Sequence, residues 1–384
     1  MKLELVITGA GVVSAIGVGK AANLDSLLHT RPGVAPVRYL ATSLRDFPVG
    51  EVKLSNEELG ALCGAPADWP RTTLLSICAL QEALKEAGLA DGTGMRLIGG
   101  TTVGGMDLTE KVFPQYSPNH GCGASTDLAA LFIGGFEDAT TLSTACSSAA
   151  NAFMFGANLL RTGQYERVVV GGSESLSNYH LNGFNSLMIL DREPCRPFDA
   201  TRAGLNLGEG AAYLVLETLE SALKRGAKPL ARLSGFGNAC DAFHQTASSE
   251  NGEGAYLAMQ KALKMAGLQP SQIDYINAHG TGTPNNDASE SAALRRVFDG
   301  KVPPVSSTKA FTGHTTSASG SIEAVFCLLA LQHGFIPPQL NYSTPDPACV
   351  MPCTSALKKP LKHILSNAFG FGGNDSSFIL SAYE

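Results

Sequence analysis

Three widely separated residues of this sequence have the side chains needed for catalysis through a sulfur nucleophile. Cys146 lies in "TLSTACSSAANAF", His279 in "NAHGTGTP" and His314 in "SSTKAFTGHTTSASG". A thiolate is a strong nucleophile, and histidines are the usual groups that move the accompanying proton or stabilise a negatively charged oxygen. The question is whether these three residues act on one substrate.

The residues around Cys146 predict a junction between a strand and a helix. The preceding "TTLST" is strand-like, apolar residues then recur at helical spacing from Ala150 to Leu160, and Gly163 supplies a stop. The unpaired N–H groups at a helix N-terminus favour a thiolate, so we expect a lowered pKa for the Cys146 thiol. The alternative, a buried and unreactive cysteine, is the commoner case for this residue type.

His279 and His314 each follow a strand-like segment and are flanked by small residues that leave room for a ligand. In α/β folds, the carboxyl ends of strands are where ligands bind. Lys309 lies five residues before His314, and the glycine-rich "SNAFGFGGND" can offer backbone N–H groups to an oxyanion. The other histidines carry no comparable signal.

Other motifs in the sequence do not match the complete pattern of a known functional site. "GAGVVS" has Ser14 where a dinucleotide-binding fingerprint needs its third glycine, and "GGSES" lacks the final glycine of a nucleophile elbow. Cys349 and Cys353 lie four residues apart without a second pair of zinc-ligand spacing, so no metal site is predicted there.

The amino-acid composition argues against several classes of protein. A net charge of −6 argues against binding to nucleic acid or to an anionic membrane. No apolar run approaches the roughly 20 residues of a membrane span, and the N-terminus has no signal-peptide pattern. The nine cysteines are odd in number and irregularly spaced, which favours a reducing, cytoplasmic setting.

The alternation of strand-like and helical segments predicts α/β architecture with largely buried sheets. A length of 384 residues suggests two or three folding units, but no linker is visible. We place the division at residues 1–235 and 236–384.

Taken together, "STACSS", "NAHGTGTP", "SSTKAFTGH" and "NAFGFGG" closely resemble the motifs of the β-ketoacyl-acyl carrier protein synthases of the elongating types I and II. The resemblance extends over nearly the whole chain and is looser before residue 140. It implies a thiolase-like fold, in which two similar halves form a five-layer αβαβα arrangement with mixed sheets, usually as a dimer. The first half would carry the cysteine, and the second the two histidines and the glycine-rich loop.

The resemblance also implies a decarboxylative Claisen condensation that needs no metal or redox cofactor. Cys146 would take an acyl group from the phosphopantetheine of acyl carrier protein, and His279 and His314 would promote decarboxylation of a malonyl thioester. Lys309 would support the histidines electrostatically and by hydrogen bonding, and Glu323 would lie beneath the site. The remaining implied roles are an oxyanion hole from the backbone N–H groups of Cys146 and Phe371, pantetheine binding by Thr281 and Thr283, and an acyl pocket formed by Val103, Phe184 and Phe371.

Two alternatives stay open. One is a non-catalytic partner subunit resembling a chain-length factor, which the presence of Cys146 disfavours, and the other is acyl transfer without condensation. Two histidines favour the elongating class, because a Cys-His-Asn set is typical of priming synthases and a Cys-His-Cys set of thiolases. The partner is then acyl carrier protein, with a homodimer or a heterodimer with a related ketosynthase or chain-length-factor subunit.

The chain departs from the family pattern in several places. The stretch from Phe113 to Cys146 is short, "GFGGND" replaces GFGGTN, and "SASG" replaces GAAG after His314. These departures favour a specialised pathway, of polyketide or aryl-polyene type, over housekeeping fatty-acid synthesis. The arginines considered for docking of an acidic carrier protein are Arg71, Arg192, Arg196 and Arg202.

Overall fold

Strands and helices alternate along residues 3–383, which the computed structural model describes. The strands are β1 Leu5–Ser14, β2 Gly17–Val18, β3 Arg96–Gly100, β4 Asp138–Leu142, β5 Arg167–Glu174, β6 Gly210–Thr218, β7 Ala231–Cys240, β8 Tyr275–Asn277, β9 Val305–Ser306, β10 Phe335–Ile336, β11 Leu357–Lys358, β12 His363–Gly370 and β13 Asn374–Ala382. The helices are α1 Lys20–Leu28, α2 Asn56–Cys63, α3 Arg71–Glu86, α4 Met106–Val112, α5 Ala124–Ile133, α6 Ser148–Arg161, α7 Asn178–Ser186, α8 Leu219–Lys224, α9 Glu253–Ala266, α10 Pro284–Val297, α11 Lys309–Thr312 and α12 Ser319–His333. Short 3-10 turns lie at Pro118–His120, Pro270–Gln272 and Thr316–Ala318.

The main sheet has the strand order β4-β3-β5-β6-β1-β7-β13-β12-β8-β9. Its two halves join where β1 and β7 pair, through Val6 with Arg232 and Ile7 with Ala231. Each half mixes parallel and antiparallel neighbours, such as β3 beside β5 and β5 beside β6 in the first, and β8 beside β12 and β12 beside β13 in the second. The predicted division at residue 235 falls within β7 and stays a prediction.

The helices form the layers around these two half-sheets. Helix α3 packs on β1 and β6, and α9 packs on β7 and β13, while α6 and α12 contact each other and strands of both halves. Helix α12 is buried without interruption from Ser319 to Ala330, as a central layer requires. This gives the predicted order of helix, sheet, helix pair, sheet and helix.

The fold brings distant chain segments to one place, because the segments that follow β4, β8, β9 and β12 meet at the central layer. None of the helices within residues 3–383 combines the length and apolarity needed to cross a membrane.

Candidate active site

Cys146 lies in the turn between β4 and α6, which confirms the predicted strand-to-helix junction. The preceding Ala145 has a φ of 52°, in the left-handed region that an L-residue occupies only when its surroundings hold it there. The Cys146 side chain is only 5% exposed. The chain therefore holds this thiol at a strained turn inside the protein.

The hairpin between β12 and β13 packs directly against this turn. A Cβ at Gly370 would lie 2.8 Å from the Thr144 carbonyl oxygen, so only glycine permits this close approach. Asn374 Oδ1 accepts a hydrogen bond of 2.7 Å from Ser147 Oγ. The backbone N–H groups of Phe371 and of Cys146 itself act on the Cys146 sulfur and lower the pKa of its thiol. The oxyanion hole expected from these two N–H groups stays a prediction.

His314 contacts the nucleophile candidate directly. Its Nε2 lies 3.0 Å from Cys146 Sγ, and its Nδ1 lies 3.0 Å from Ser319 Oγ. The His314 backbone N–H donates to the Asn206 carbonyl oxygen at 2.7 Å, which fixes this segment to the first half of the chain. Ser319 was not predicted as a site residue, although it lies in "SASG", which departs from the family pattern.

His279 follows β8, and its ring packs edge-on against that of His314, with centroids 5.3 Å apart. Its backbone N–H donates to Glu290 Oε1 at 2.9 Å, and the N–H of Gly280 donates to Glu290 Oε2 at 2.8 Å. Glu290 was not predicted, because a helical carboxylate eleven residues after a histidine carries no spacing signal. The buried Nδ1 of His279 has no hydrogen-bond partner among the described residues.

Lys309 and Glu323 form a buried ion pair beneath the two histidines, with Nζ and Oε1 2.6 Å apart. Burial raises the pKa of Glu323 to about 7, although Lys309 acts in the opposite direction. Within residues 3–383 no hydrogen bond joins Lys309 to either ring, so it acts on them through its charge rather than through the hydrogen bonds we expected.

Burial controls the protonation of the thiol and of both rings. The expectation of a lowered thiol pKa is wrong for this structure: burial raises the pKa of Cys146 to about 12, and outweighs Lys309 and the two backbone N–H groups. Burial, reinforced by the charge of Lys309, holds the pKa of both His279 and His314 well below the usual 6.5. The resting site therefore holds a thiol and two neutral imidazoles at neutral pH.

We expect the histidine-dependent step to be insensitive to mild acid. A ring with a depressed pKa stays neutral as the pH falls through 6.5 and becomes charged only well below it. For the CO₂ release from a malonyl thioester that the resemblance implies, the rate constant measured between about pH 8 and about pH 5.5 should therefore stay flat until well below pH 6.5. A rate that has already fallen to half of its maximum at pH 6.5 or above would contradict neutral rings in this site.

A cavity of about 320 Å³ leads from the surface to Cys146, His279 and His314. Thr281 and Thr283 line it, with their hydroxyl oxygens 2.9 Å apart. Phe184 and Phe371 also line it, and their rings stack with centroids 5.8 Å apart. Val103 does not line this cavity. It is buried, and its backbone N–H donates to Glu174 Oε1 at 3.1 Å.

Each of the four arginines considered for docking forms an ion pair with an acidic side chain of the same chain. Arg71 is buried against Glu209, with Nη2 and Oε1 2.6 Å apart. Arg202 lies 2.5 Å from Asp346, and Arg196 is bound to Asp191. Arg192 pairs with Asp46, with Nη1 and Oδ2 3.6 Å apart, but its side chain is 70% exposed. Of these four arginines, Arg192 is the one whose charge faces solvent.

Comparison with known proteins decides the family. The model described as "Beta-ketoacyl synthase, N-terminal domain" matches residues 3–222, and the one described as "Beta-ketoacyl synthase, C-terminal domain" matches residues 230–343. The chain belongs to the β-ketoacyl synthase family. This confirms the predicted family and, with it, the prediction of a condensing acyltransferase.

Relatives of this β-ketoacyl synthase match it from end to end. It is 33% identical to 3-oxoacyl-[acyl-carrier-protein] synthase 2 of Synechocystis sp., covering 100% of this chain and 99% of the relative. A solved structure described as the ishigamide ketosynthase/chain length factor has 31% identity and a TM-score of 0.92, covering 100% of both chains. A ketosynthase in complex with its chain length factor from Xenorhabdus doucetiae has 30% identity and a TM-score of 0.85, covering 99% of this chain and 98% of the other. These likenesses confirm the predicted fold class.

Proposed function

We propose that this β-ketoacyl synthase joins an acyl group held on Cys146 to a malonyl unit carried by acyl carrier protein, in a decarboxylative Claisen condensation. One observation carries the proposal: His314 Nε2 lies 3.0 Å from Cys146 Sγ, with the ring of His279 packed beside it in the same cavity. A sulfur to hold the acyl group and two neutral N–H donors to hold an enolate are the groups that this reaction needs.

In the first step, Cys146 Sγ attacks the carbonyl carbon of the acyl thioester on the carrier protein. The new bond joins Sγ to the acyl carbon, the carbon–sulfur bond to pantetheine breaks, and the Cys146 proton leaves with the pantetheine sulfur. His314 Nε2 contacts the sulfur and stabilises the negative charge that develops on Sγ as this proton leaves. The N–H groups of Cys146 and Phe371 stabilise the oxygen of the tetrahedral intermediate.

In the second step, a malonyl thioester occupies the same cavity and loses CO₂. The electron pair of the broken carbon–carbon bond becomes an enolate, whose oxygen accepts hydrogen bonds from Nε2 of His279 and His314. The enolate carbon attacks the acyl carbon on Cys146, the bond to Sγ breaks, and the thiolate regains a proton from solvent. Lys309 and Glu323 act as a fixed charge pair beneath the rings.

The substrates arrive on the phosphopantetheine arm of the carrier protein, and the proposed chemistry uses no metal or redox cofactor. The hydroxyl groups of Thr281 and Thr283 face the cavity and can hydrogen-bond to the amides of this arm. The exposed Arg192 is the proposed contact for the acidic surface of the carrier.

The acyl chain extends beyond the stacked rings of Phe184 and Phe371, which must separate to admit it. We place Val103 at the floor of that inner pocket, where a small side chain leaves room for a medium or long acyl group.

The departures of this sequence from housekeeping synthases favour a polyketide or aryl-polyene-type pathway. All nine cysteines are free thiols, which supports a reducing, cytoplasmic setting.

A dimer is the proposed working state. Strand β4 lies at the edge of the main sheet, and helix α5 packs beside it. Leu131 on α5 is 76% exposed, and Phe113 in the preceding segment is 79% exposed. An open sheet edge flanked by large apolar side chains is a surface that proteins normally cover.

Size-exclusion chromatography with light scattering, run on the purified chain at micromolar concentration, should therefore show a particle of two chains. Leu131→Glu should shift the population towards single chains, because it places a charge in the buried interface. The matched control is Leu223→Glu, which changes an equally apolar, exposed residue on α8 and should leave the dimer intact. A wild-type particle of one chain at micromolar concentration would contradict the dimer.

Turnover by the purified chain alone tests the function. With acyl- and malonyl-acyl carrier protein, the chain should form 3-oxoacyl-acyl carrier protein, detected by mass spectrometry of the carrier. The alternative function is a non-catalytic partner subunit, which would give no product alone and would change the product length when mixed with an active ketosynthase. Acylation of Cys146 without CO₂ release would instead indicate simple acyl transfer.

A further inference from the structure

We propose that Ser319 is a positioning residue for His314, and that its hydroxyl group donates a hydrogen bond to Nδ1 and thereby keeps the ring proton on Nε2. This inference rests on the proposed function and deepens it, since it assigns how one of the two enolate-binding rings is prepared. Ser319 Oγ lies 3.0 Å from His314 Nδ1, a normal length for this bond.

The surroundings of Ser319 decide which group donates. Ser319 is 2% exposed, so solvent cannot serve its hydroxyl group. Thr315 Oγ1 lies 3.3 Å from Ser319 Oγ and, among residues 3–383, has no other hydrogen-bond partner. A Thr315 hydroxyl that donates to Ser319 leaves the Ser319 proton free to point at Nδ1. The order of donation is then Thr315 to Ser319 to His314.

The consequence for His314 follows from the chemistry of a neutral imidazole, in which one nitrogen donates and the other accepts. If Nδ1 accepts from Ser319, Nε2 carries the proton, and Nε2 is the nitrogen that faces Cys146 Sγ. That is the tautomer needed to donate to an enolate oxygen. Among the residues that the structure describes, His279 has no such partner on its Nδ1. The structure thus prepares the two rings differently.

Nitrogen-15 NMR of the histidine rings tests the tautomer without depending on activity. In protein labelled with ¹⁵N-histidine, the His314 signals, identified by their loss in His314→Gln, should show a protonated Nε2 and an unprotonated Nδ1. Ser319→Ala should yield a mixture of tautomers, and Ser319→Thr should restore the original one. A wild-type ring protonated mainly on Nδ1, or an unchanged tautomer in Ser319→Ala, would overturn the inference.

Kinetics provide the second measurement. Ser319→Ala should lower kcat for CO₂ release from malonyl-acyl carrier protein about tenfold, with KM changed less than about twofold. Ser319→Thr should recover most of the rate, because it retains the hydroxyl group. Ser321→Ala is the matched control: this buried serine on the same helix donates to the Ala318 carbonyl oxygen at 3.0 Å, and its loss should leave kcat unchanged.

The two failures can be told apart. A wild-type chain that releases no CO₂ contradicts the proposed function, and the NMR result still decides the tautomer. An active wild type with an equally active Ser319→Ala variant contradicts only the role of Ser319.

Discussion

Replacing Cys146 with alanine is expected to lower formation of 3-oxoacyl-acyl carrier protein at least about a thousandfold, because no other group can hold the acyl chain. Intact-mass analysis after incubation with acyl-acyl carrier protein should show an acyl adduct on the wild type and none on Cys146→Ala. CO₂ release from malonyl-acyl carrier protein should persist in this variant, since that step uses the two histidines and not the sulfur.

Cys195 provides the matched control for this experiment. It is as buried as Cys146, and burial likewise raises its pKa to about 12, but it does not line the cavity. Cys195→Ala should still acquire the acyl adduct and form product. An adduct of the same mass on Cys146→Ala, or product formation at the wild-type rate, would show that the nucleophile lies elsewhere.

Replacing His279 with alanine is expected to separate the two steps of the reaction. CO₂ release should fall by about 10²–10³-fold, the usual cost of removing a donor to a developing oxyanion. Acylation of Cys146 should continue, because it is His314, and not His279, whose ring nitrogen contacts the sulfur. Rapid-quench measurement of the acyl adduct, alongside release of labelled CO₂, checks both expectations.

Two further variants test whether the separation of the two steps is specific to His279. His314→Ala should slow acylation as well as CO₂ release, since it removes the group beside the sulfur. His333→Ala, at the exposed C-terminus of α12, should change neither. If His279→Ala loses acylation and CO₂ release equally, the proposal that His314 alone assists acylation is wrong.

The sequence predicted those parts of the site that depend on local pattern. The junction at Cys146 follows from strand-like residues before it and helical periodicity after it, and His279 follows β8 as its flanking residues indicate. His314 follows the short helix α11, which carries Lys309, rather than a strand directly, and a 3-10 turn separates it from α12.

The features that depend on tertiary packing escaped prediction. A helix N-terminus suggests a lowered thiol pKa, whereas the burial that reverses it comes from elements far away in the chain. Arg71 looks like a surface cation by residue type, but Glu209, distant in sequence, pairs with it inside the protein. The bond between Ser147 and Asn374 joins residues that no periodicity relates.

The most direct test of the account is a single-turnover experiment with enzyme already acylated on Cys146. Malonyl-acyl carrier protein labelled with ¹³C in its free carboxyl group is added, and labelled CO₂, the Cys146 adduct and the carrier product are measured together. We expect one CO₂ to appear for each acyl group lost from Cys146 and each 3-oxoacyl chain gained by the carrier. Loss of the acyl group without CO₂, or CO₂ without a new carbon–carbon bond, would contradict the claim that the sulfur and the two imidazoles act on one reaction.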